Sequence, residues 1–330
     1  MTSDHPAVLG LRFRHVRGEG DADAVCELRV GCAERDQVDP LSASESLPGR
    51  QEYREALARI VAAGQQHMRL VAEVDGQMVG YTLIESWSED DGRWVYLILG
   101  WVLPAWRGRG IGTAMLHWGE RTALRLAATD HPGERCEFAG NASSTEVEAT
   151  ALLLHEGYAA GYTVLEMGLD FSALPPVHPL PAGIEVRPAR SEHIPLMADS
   201  IHESYRNEYA GNRFHETSTV EDTVARLSGS RHDPALWQVA WDGDRVVGNV
   251  LPLVERGRAT MYDISVRPHY RRRELARALL TRALWDLRGR GLEVIRVNTI
   301  AEFQTRAKDL YTSVGFRLLK EFPRYRKSPY

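Results

Sequence analysis

Apolar and charged residues alternate over Leu11-Arg12-Phe13-Arg14-His15-Val16, and again over Ile184-Glu185-Val186-Arg187-Pro188. A period of two is the signature of a half-buried strand. The same succession of patterns follows each of these stretches. Helical spacing of apolar positions covers 21–36 and 49–63 after the first strand, and 191–209 and 219–227 after the second. Two apolar runs then flank an Asp-Gly pair, Asp75-Gly76 in one case and Asp242-Gly243 in the other. Asp-Gly between alternating runs predicts a tight hairpin, because both residues tolerate a positive φ. A further apolar strand (95–102; 261–266) leads through a proline and an arginine-rich turn into an amphipathic helix over 112–127 or 276–288. A strand (135–139; 293–298), a helix ending at Gly157-Tyr158 or Gly315-Phe316, and a last strand (163–167; 317–322) complete each series. The glycine sits where a helix C-terminus favours a left-handed residue.

Self-similarity in a fixed order predicts two copies of one α/β domain. The 330 residues also exceed what one hydrophobic core usually supports. Pro175, Pro176, Pro179 and Pro181 crowd the interval between the copies, which suits a semi-rigid linker rather than a helix or an interior strand. The expected organisation is a domain over 8–172, a linker over 173–182 and a second domain over 183–330.

Composition narrows the classes. With 43% apolar and 26% charged residues the chain reads as globular, and its net charge of −5 argues against nucleic acid as a partner. Binding phosphates on that scale needs a basic excess. Cys26, Cys32 and Cys136 form no paired spacing, so neither a disulfide framework nor a metal site is expected, and a cytoplasmic location is the default expectation. No apolar stretch approaches the ~20 residues of a bilayer span, so no membrane partner is expected. Monomer and homodimer both remain open.

The sharpest local feature is Arg107-Gly108-Arg109-Gly110-Ile111-Gly112, wedged between a strand and a helix. Glycines let the backbone curl with its N–H groups inward. The first turn of a helix adds orphan donors and a partial positive charge, which together favour a diphosphate. The ending of a P-loop is missing, and the glycine spacing is not the dinucleotide fingerprint. The second copy has Arg271-Arg272-Arg273-Glu274-Leu275-Ala276 at the same place, with Glu274 where the first has Gly110. A carboxylate beside a diphosphate is unfavourable at low local dielectric.

The order strand, Val-x-Pro-x-x-Arg-x-x-Gly-x-Gly, helix, strand, helix ending in Gly-aromatic, final strand resembles the GNAT N-acetyltransferase superfamily. The resemblance covers both halves and extends to the tandem members of that superfamily. It implies an α/β (α+β) fold, each half a mixed, largely antiparallel sheet flanked by helices, with a splayed central strand pair. It also implies acetyl-CoA as co-substrate, no metal, and direct attack of a primary amine on the thioester. Carried onto this sequence, Val102 contacts pantetheine, and Arg107, Gly108, Arg109, Gly110, Ile111, Gly112 and Thr113 hold the diphosphate. The corresponding residues of the second copy are Val266, Arg271, Arg272, Arg273 and Ala276.

A free alkylammonium, with a pKa of ~10, must lose a proton before attack, and the departing thiolate benefits from a proton donor. In the family a Tyr four residues before the Gly-aromatic pair often serves as that donor, and here it is Tyr311. In the first copy the position is Leu153, with His155 and Tyr158 as neighbouring polar alternatives. Gln304 stands where the family often has Asn, and Asn298 is a candidate pantetheine contact. Asp263 is the candidate base of the second copy; Glu73, Glu85 and Glu137 are those of the first. Trp87, Trp94, Tyr96, Trp101 and Trp106 are expected to pack on the sheet, or in part to line an acceptor pocket. Arg324, Arg326 and Lys327 read as a solvated tail.

The function expected is acetyl-CoA-dependent N-acetylation of a small-molecule amine. Two alternatives stay open: a non-catalytic acyl-CoA-binding sensor or scaffold, and a transferase with an unusual acceptor such as an amino-sugar conjugate. The first copy keeps the glycine turn and the second keeps the tyrosine, so the diagnostic chemistry is divided between them.

Overall fold

The computed structural model describes residues 6–45, 47–89, 91–205, 219–255, 257–302 and 306–329. It divides into two units, Met1–Gly161 with Phe322–Tyr330, and Tyr162–Glu321. In the first unit the alternating segment forms β1 (Leu11–His15), followed by α1 (Ala22–Ala33) and α2 (Arg50–Ala62). The hairpin is β2 (Arg69–Val74) and β3 (Gln77–Ser88), closed by Asp75 and Gly76 at φ 49° and 83°. Then come β4 (Trp94–Val102), α3 (Ile111–Asp130), β5 (Cys136–Asn141) and α4 (Val147–His155). Strands run in the order β1-β2-β3-β4-β5, and β4 is parallel to β5 only over Trp94–Leu97. Beyond Leu97 the two strands part. Ile84, Tyr96, Leu116 and Phe138 are among the buried residues between sheet and helices.

In the second unit, β6 (Ala159–Asp170) contributes its segment from Tyr162 onward. It is followed by β7 (Glu185–Arg187), α5 (Ile194–Tyr205) and α6 (Val220–Leu227). Thr219 starts α6 with a reciprocal cap: its Oγ1 accepts from Asp222 N at 3.1 Å, and Asp222 Oδ2 accepts from Thr219 N at 2.9 Å. The hairpin of β8 (Gln238–Asp242) and β9 (Arg245–Glu255) leads to β10 (Arg258–Val266), α7 (Leu275–Gly289), β11 (Val294–Ile300) and α8 (Ala307–Ser313). The strand order is β7-β8-β9-β10-β11-β6. Strand β10 is parallel to β11 only over Ala259–Met261, so this pair parts as well.

Two details differ from the sequence expectations. The second hairpin turns on Gly243 (φ 56°) and Asp244, leaving Asp242 in the strand. Arg324, Arg326 and Lys327 are not a solvated tail. They belong to β12 (Arg317–Lys327), whose end pairs with β5 from Arg324↔Asn141 to Lys327↔Phe138. Carboxylates fix this end: Lys327 meets Glu120 at 2.7 Å, and Arg326 lies 3.5 Å from Glu89. Arg324 and Arg326 flank the buried Tyr325, an alternation of period two that a charge count alone obscures. The proline-rich segment packs within the second unit, where Trp285 Nε1 donates to Pro175 O at 2.8 Å.

Candidate active sites

Each parted strand pair opens a cavity beside an arginine turn. In the second unit the cavity is about 760 Å³ and is lined by β10 from Met261 to Val266, by Val297, Asn298 and Thr299 of β11, by the turn, and by α8. Tyr311 lies in that wall, buried, and its hydroxyl has no hydrogen-bond partner among the described residues. Burial, and secondarily the charge of Asp263, raises the Tyr311 hydroxyl above its ordinary range, so it stays protonated.

Asp263 lies in the same wall and is 7% exposed. A β-bulge places it there: register with β9 shifts between Met261 and Asp263. Its Oδ1 accepts from Tyr205 Oη at 3.0 Å and its Oδ2 from Ser265 Oγ at 2.9 Å. Desolvation raises the carboxyl to about 6, against the lowering effect of those two hydroxyls.

The arginine turn of this unit keeps a glycine-like backbone without glycines. Arg272 and Glu274 sit at φ 60° and 61°, where a β-carbon is strained. The Glu274 carboxylate is half exposed and pairs with Arg277 at 2.7 Å. Arg271 Nε donates to Val266 O at 3.1 Å, and its Nη2 to Ser204 O at 2.5 Å. Arg273 stacks over Tyr270 at 5.6 Å, while Arg272 is exposed.

In the first unit the cavity is about 370 Å³, and Val102, Gly108, Gly110, Gly112 and Thr113 are in its lining. Gly108 and Gly110 take φ 72° and 81°, and Gly110 precedes α3 in the left-handed conformation. The Arg107 side chain is committed elsewhere. Its terminal nitrogens hold Asp36 at 2.6 and 2.7 Å, and its Nε donates to Val102 O. Arg109 is exposed and stacks over Trp106 at 4.9 Å. The Ile111 side chain is buried in the core, so only its backbone faces the turn. Leu153 fills the wall where the second unit has Tyr311, packing over Gly140.

The profile of the acetyltransferase (GNAT) family matches residues 33–131 and 198–316. The chain belongs to the GNAT acetyltransferase family. Membership brings acetyl transfer to an amine, with acetyl-CoA as the family's usual donor. A mycothiol acetyltransferase of Geodermatophilus obscurus is 28% identical over 75% of this chain and 78% of its own. One of Kineococcus radiotolerans is 28% identical over 93% of each chain. Among solved structures, a GCN5-related N-acetyltransferase of Sphaerobacter thermophilus superposes with a TM-score of 0.75 at 22% identity, over 97% of this chain and 96% of that one. A tandem GNAT protein of the clavulanic acid pathway gives 0.63 at 14% identity, over 96% and 98%. These two carry the fold.

Within the GNAT frame the two copies align through Val-x-Pro-x-x-Arg. Three residues before Val266 stands Asp263, and three before Val102 stands Leu99. Both the acid and the base candidates of the second copy are thus leucines, Leu153 and Leu99, in the first. The three candidate carboxylates of the first copy are outside its cavity lining, whose acidic residues are Asp36, Glu146 and Glu148. Glu137 meets Arg93 at 3.1 Å, Glu73 meets Arg14 at 2.6 Å, and Glu85 is exposed. His155 is exposed and Tyr158 is buried. Trp101 lines the first cavity, stacked on Tyr81 at 6.2 Å. Gln304 lies outside the described residues. Sequence reasoning missed Tyr205, Ser265 and Asn249; the only available signal was the polar pair Asp263 and Ser265 two apart on one strand face. No helix among the described residues is long and apolar enough to cross a membrane, and none of their carboxylate, histidine and cysteine groups forms a metal cluster.

Proposed function

We propose that acetyl transfer takes place in the second unit, with Asp263 as base and Tyr311 as acid, and that the acceptor is a mycothiol-related amine. The observation that carries the assignment is the pairing of these two groups in one cavity, against two leucines at the matching positions of the first copy. The acceptor rests on the names of the relatives and on the amino-sugar conjugate reading of the sequence.

The second cavity suits the donor. Past Met261 the inner edge of β10 has no partner in β11, which leaves backbone groups for an extended pantetheine chain. Val266 and the turn of Arg271, Arg272, Arg273 and Ala276 stand next to that edge. The donor supplies an acetyl group activated as a thioester. Asp263, ionised at neutral pH yet raised to about 6, takes a proton from the acceptor ammonium. Desolvation in the same cavity lowers the ammonium's own pKa and eases that transfer. The freed amine attacks the thioester carbonyl and the C–S bond breaks; Tyr311 gives its hydroxyl proton to the departing sulfur and regains the one that the new amide nitrogen sheds, and the proton held by Asp263 leaves to solvent. In the first unit we propose coenzyme binding without transfer, through the backbone of Gly108, Arg109, Gly110, Ile111, Gly112 and Thr113 beside Val102. There Arg107 acts by shaping the turn.

Steady-state acetyl-CoA turnover with a mycothiol-related amine, set against aminoglycosides, polyamines and amino acids, tests the reading. Turnover is expected for the first and lost in Asp263→Asn and Tyr311→Phe. Wild-type rates in both variants would sink the site assignment. Binding of acetyl-CoA with no turnover on any amine would favour a sensor.

A further inference from the structure

We infer that Tyr205, Ser265 and Asn249 are positioning residues, which orient the Asp263 carboxylate and keep it available as a proton acceptor. This deepens the site proposed above and rests on Asp263 being its base.

The arrangement follows from register. Asp263 and Ser265 are two apart on β10 and share a face, and Ser265 lies directly opposite Asn249 of β9. Asn249 Nδ2 donates to Ser265 Oγ at 3.2 Å and to Ser200 Oγ of α5 at 3.3 Å. With the Asn249 hydrogens spent on those two oxygens, the Ser265 proton is directed to Asp263 Oδ2, 2.9 Å away. Tyr205, at the end of α5, divides its proton between Asp263 Oδ1 at 3.0 Å and Ile264 O at 3.1 Å. Each carboxylate oxygen therefore accepts a hydroxyl, and the carboxylate plane is fixed from two elements.

This network is costly to bury. Asn249 and Ser200 are fully buried and Ser265 is 3% exposed, while Asn249 Oδ1 is left without a donor. The fold does not need it. In the first copy the residues aligned with Asn249 and Ser265 are Tyr81 and Trp101, paired in the same register and stacked. Leu99 stands in place of Asp263 there. The hydroxyl and amide groups thus disappear together with the carboxylate they hold, as expected of parts of one device.

Among the described residues, the other titratable or charged groups that act on Asp263 or feel its charge are Arg226 of α6, Tyr262 beside it on β10, and Tyr311 of α8. Arg226 acts through space: its guanidinium lies 5.9 Å from the Tyr262 ring centre and donates to Thr223. It lowers the carboxyl's affinity for a proton without fixing its orientation.

The test is a carbon-13 titration of the Asp263 carboxyl in the full chain, assigned by its loss in Asp263→Asn, alongside the pH profile of kcat/KM. Removing one hydroxyl donor withdraws stabilisation of the ionised form. Tyr205→Phe and Ser265→Ala should each move the carboxyl midpoint and the acid limb upward together, by roughly one pH unit. Ser265→Thr keeps the hydroxyl and should restore both, and KM for acetyl-CoA should stay put. Midpoints unchanged in both Tyr205→Phe and Ser265→Ala would overturn the inference, as would a fall in rate with no movement of the limb. Should one of the two variants fold poorly by thermal denaturation, the other reads the same quantity. Wild-type turnover in Asp263→Asn would instead remove the base assignment, while the titration still reports who holds the carboxyl.

Discussion

Arg107 clasps Asp36 through both terminal nitrogens, at 2.6 and 2.7 Å, in the turn that the glycine motif made most conspicuous. The pair is mostly withdrawn from solvent, with side-chain exposures of 17% and 5%. It ties the end of β4 to the chain just after α1. An arginine so held shapes the turn rather than reaching for a ligand, and it leaves backbone N–H groups and Arg109 for the coenzyme binding proposed above. Arg271, its counterpart, donates to the carbonyls of Val266 and Ser204.

Removing Asp36 leaves Arg107 with only the partly exposed Glu148, 3.5 Å away, to offset its charge, and breaking a buried pair typically costs about 3 kcal/mol. Asp36→Asn should therefore destabilise the first unit by about 2–4 kcal/mol in urea denaturation. Acetyl transfer by the folded protein should be unchanged, because the reacting groups proposed above are in the second unit. A loss of turnover matching the loss of stability would contradict that separation.

Glu274 and Arg272 take left-handed backbone conformations that glycine adopts without penalty in the first copy. Relieving one such position is worth about 1 kcal/mol, offset in part by the greater freedom of glycine in the unfolded chain. The ion pair lost with Glu274 is exposed and contributes little. Glu274→Gly should leave stability level or slightly raised, and KM for acetyl-CoA should fall as a carboxylate leaves the cavity wall. A rise in KM would mean that Glu274 serves the donor directly.

Tyr311→Phe keeps the ring that packs at 5.7 Å from Phe316 and removes only the hydroxyl. General-acid contributions run to 10²–10⁴-fold, so kcat should drop by roughly 10²-fold or more, with KM for acetyl-CoA little changed. The rate should recover with donors whose leaving thiol is more acidic, since these need less protonation. Equal loss with all thiols would make Tyr311 a packing residue.

Much of this was legible in the chain. Alternation at Leu11–His15, the Asp75-Gly76 turn and the Val-x-Pro-x-x-Arg run each map onto an observed element, because each rests on short-range geometry. Tyr311 could be located by its distance from Gly315. What could not be read depends on contacts distant in sequence. Nothing near Arg107 announces Asp36, 71 positions away. The strand formed by Arg324 and its neighbours is fixed by β5, and the hydroxyl shell of Asp263 by the register between β9 and β10 together with α5.

Burial of Asp263 has a second consequence, for stability rather than rate. Its folded carboxyl titrates at about 6 against an ordinary 3.8, so between those values the native state holds a proton that the unfolded chain has shed. Stability must then fall as pH rises through this window. The sign is opposite to that of Asp21, whose carboxyl is held low by Arg14 and which stabilises the fold once ionised. A difference of about two pH units corresponds to about 3 kcal/mol. Asp263→Asn removes the titration, so at pH 8 it should unfold at higher denaturant than wild type, with a gain of about 1–3 kcal/mol. Below the ordinary value, at about pH 3, the two proteins should be nearly equal, because the wild-type carboxyl is then largely neutral in both states. Subtracting variant from wild type at each pH cancels Asp21 and every other group. A difference that stays constant from about pH 3 to pH 8 would show that Asp263 is not raised by burial, and would weaken its case as a base tuned for neutral pH.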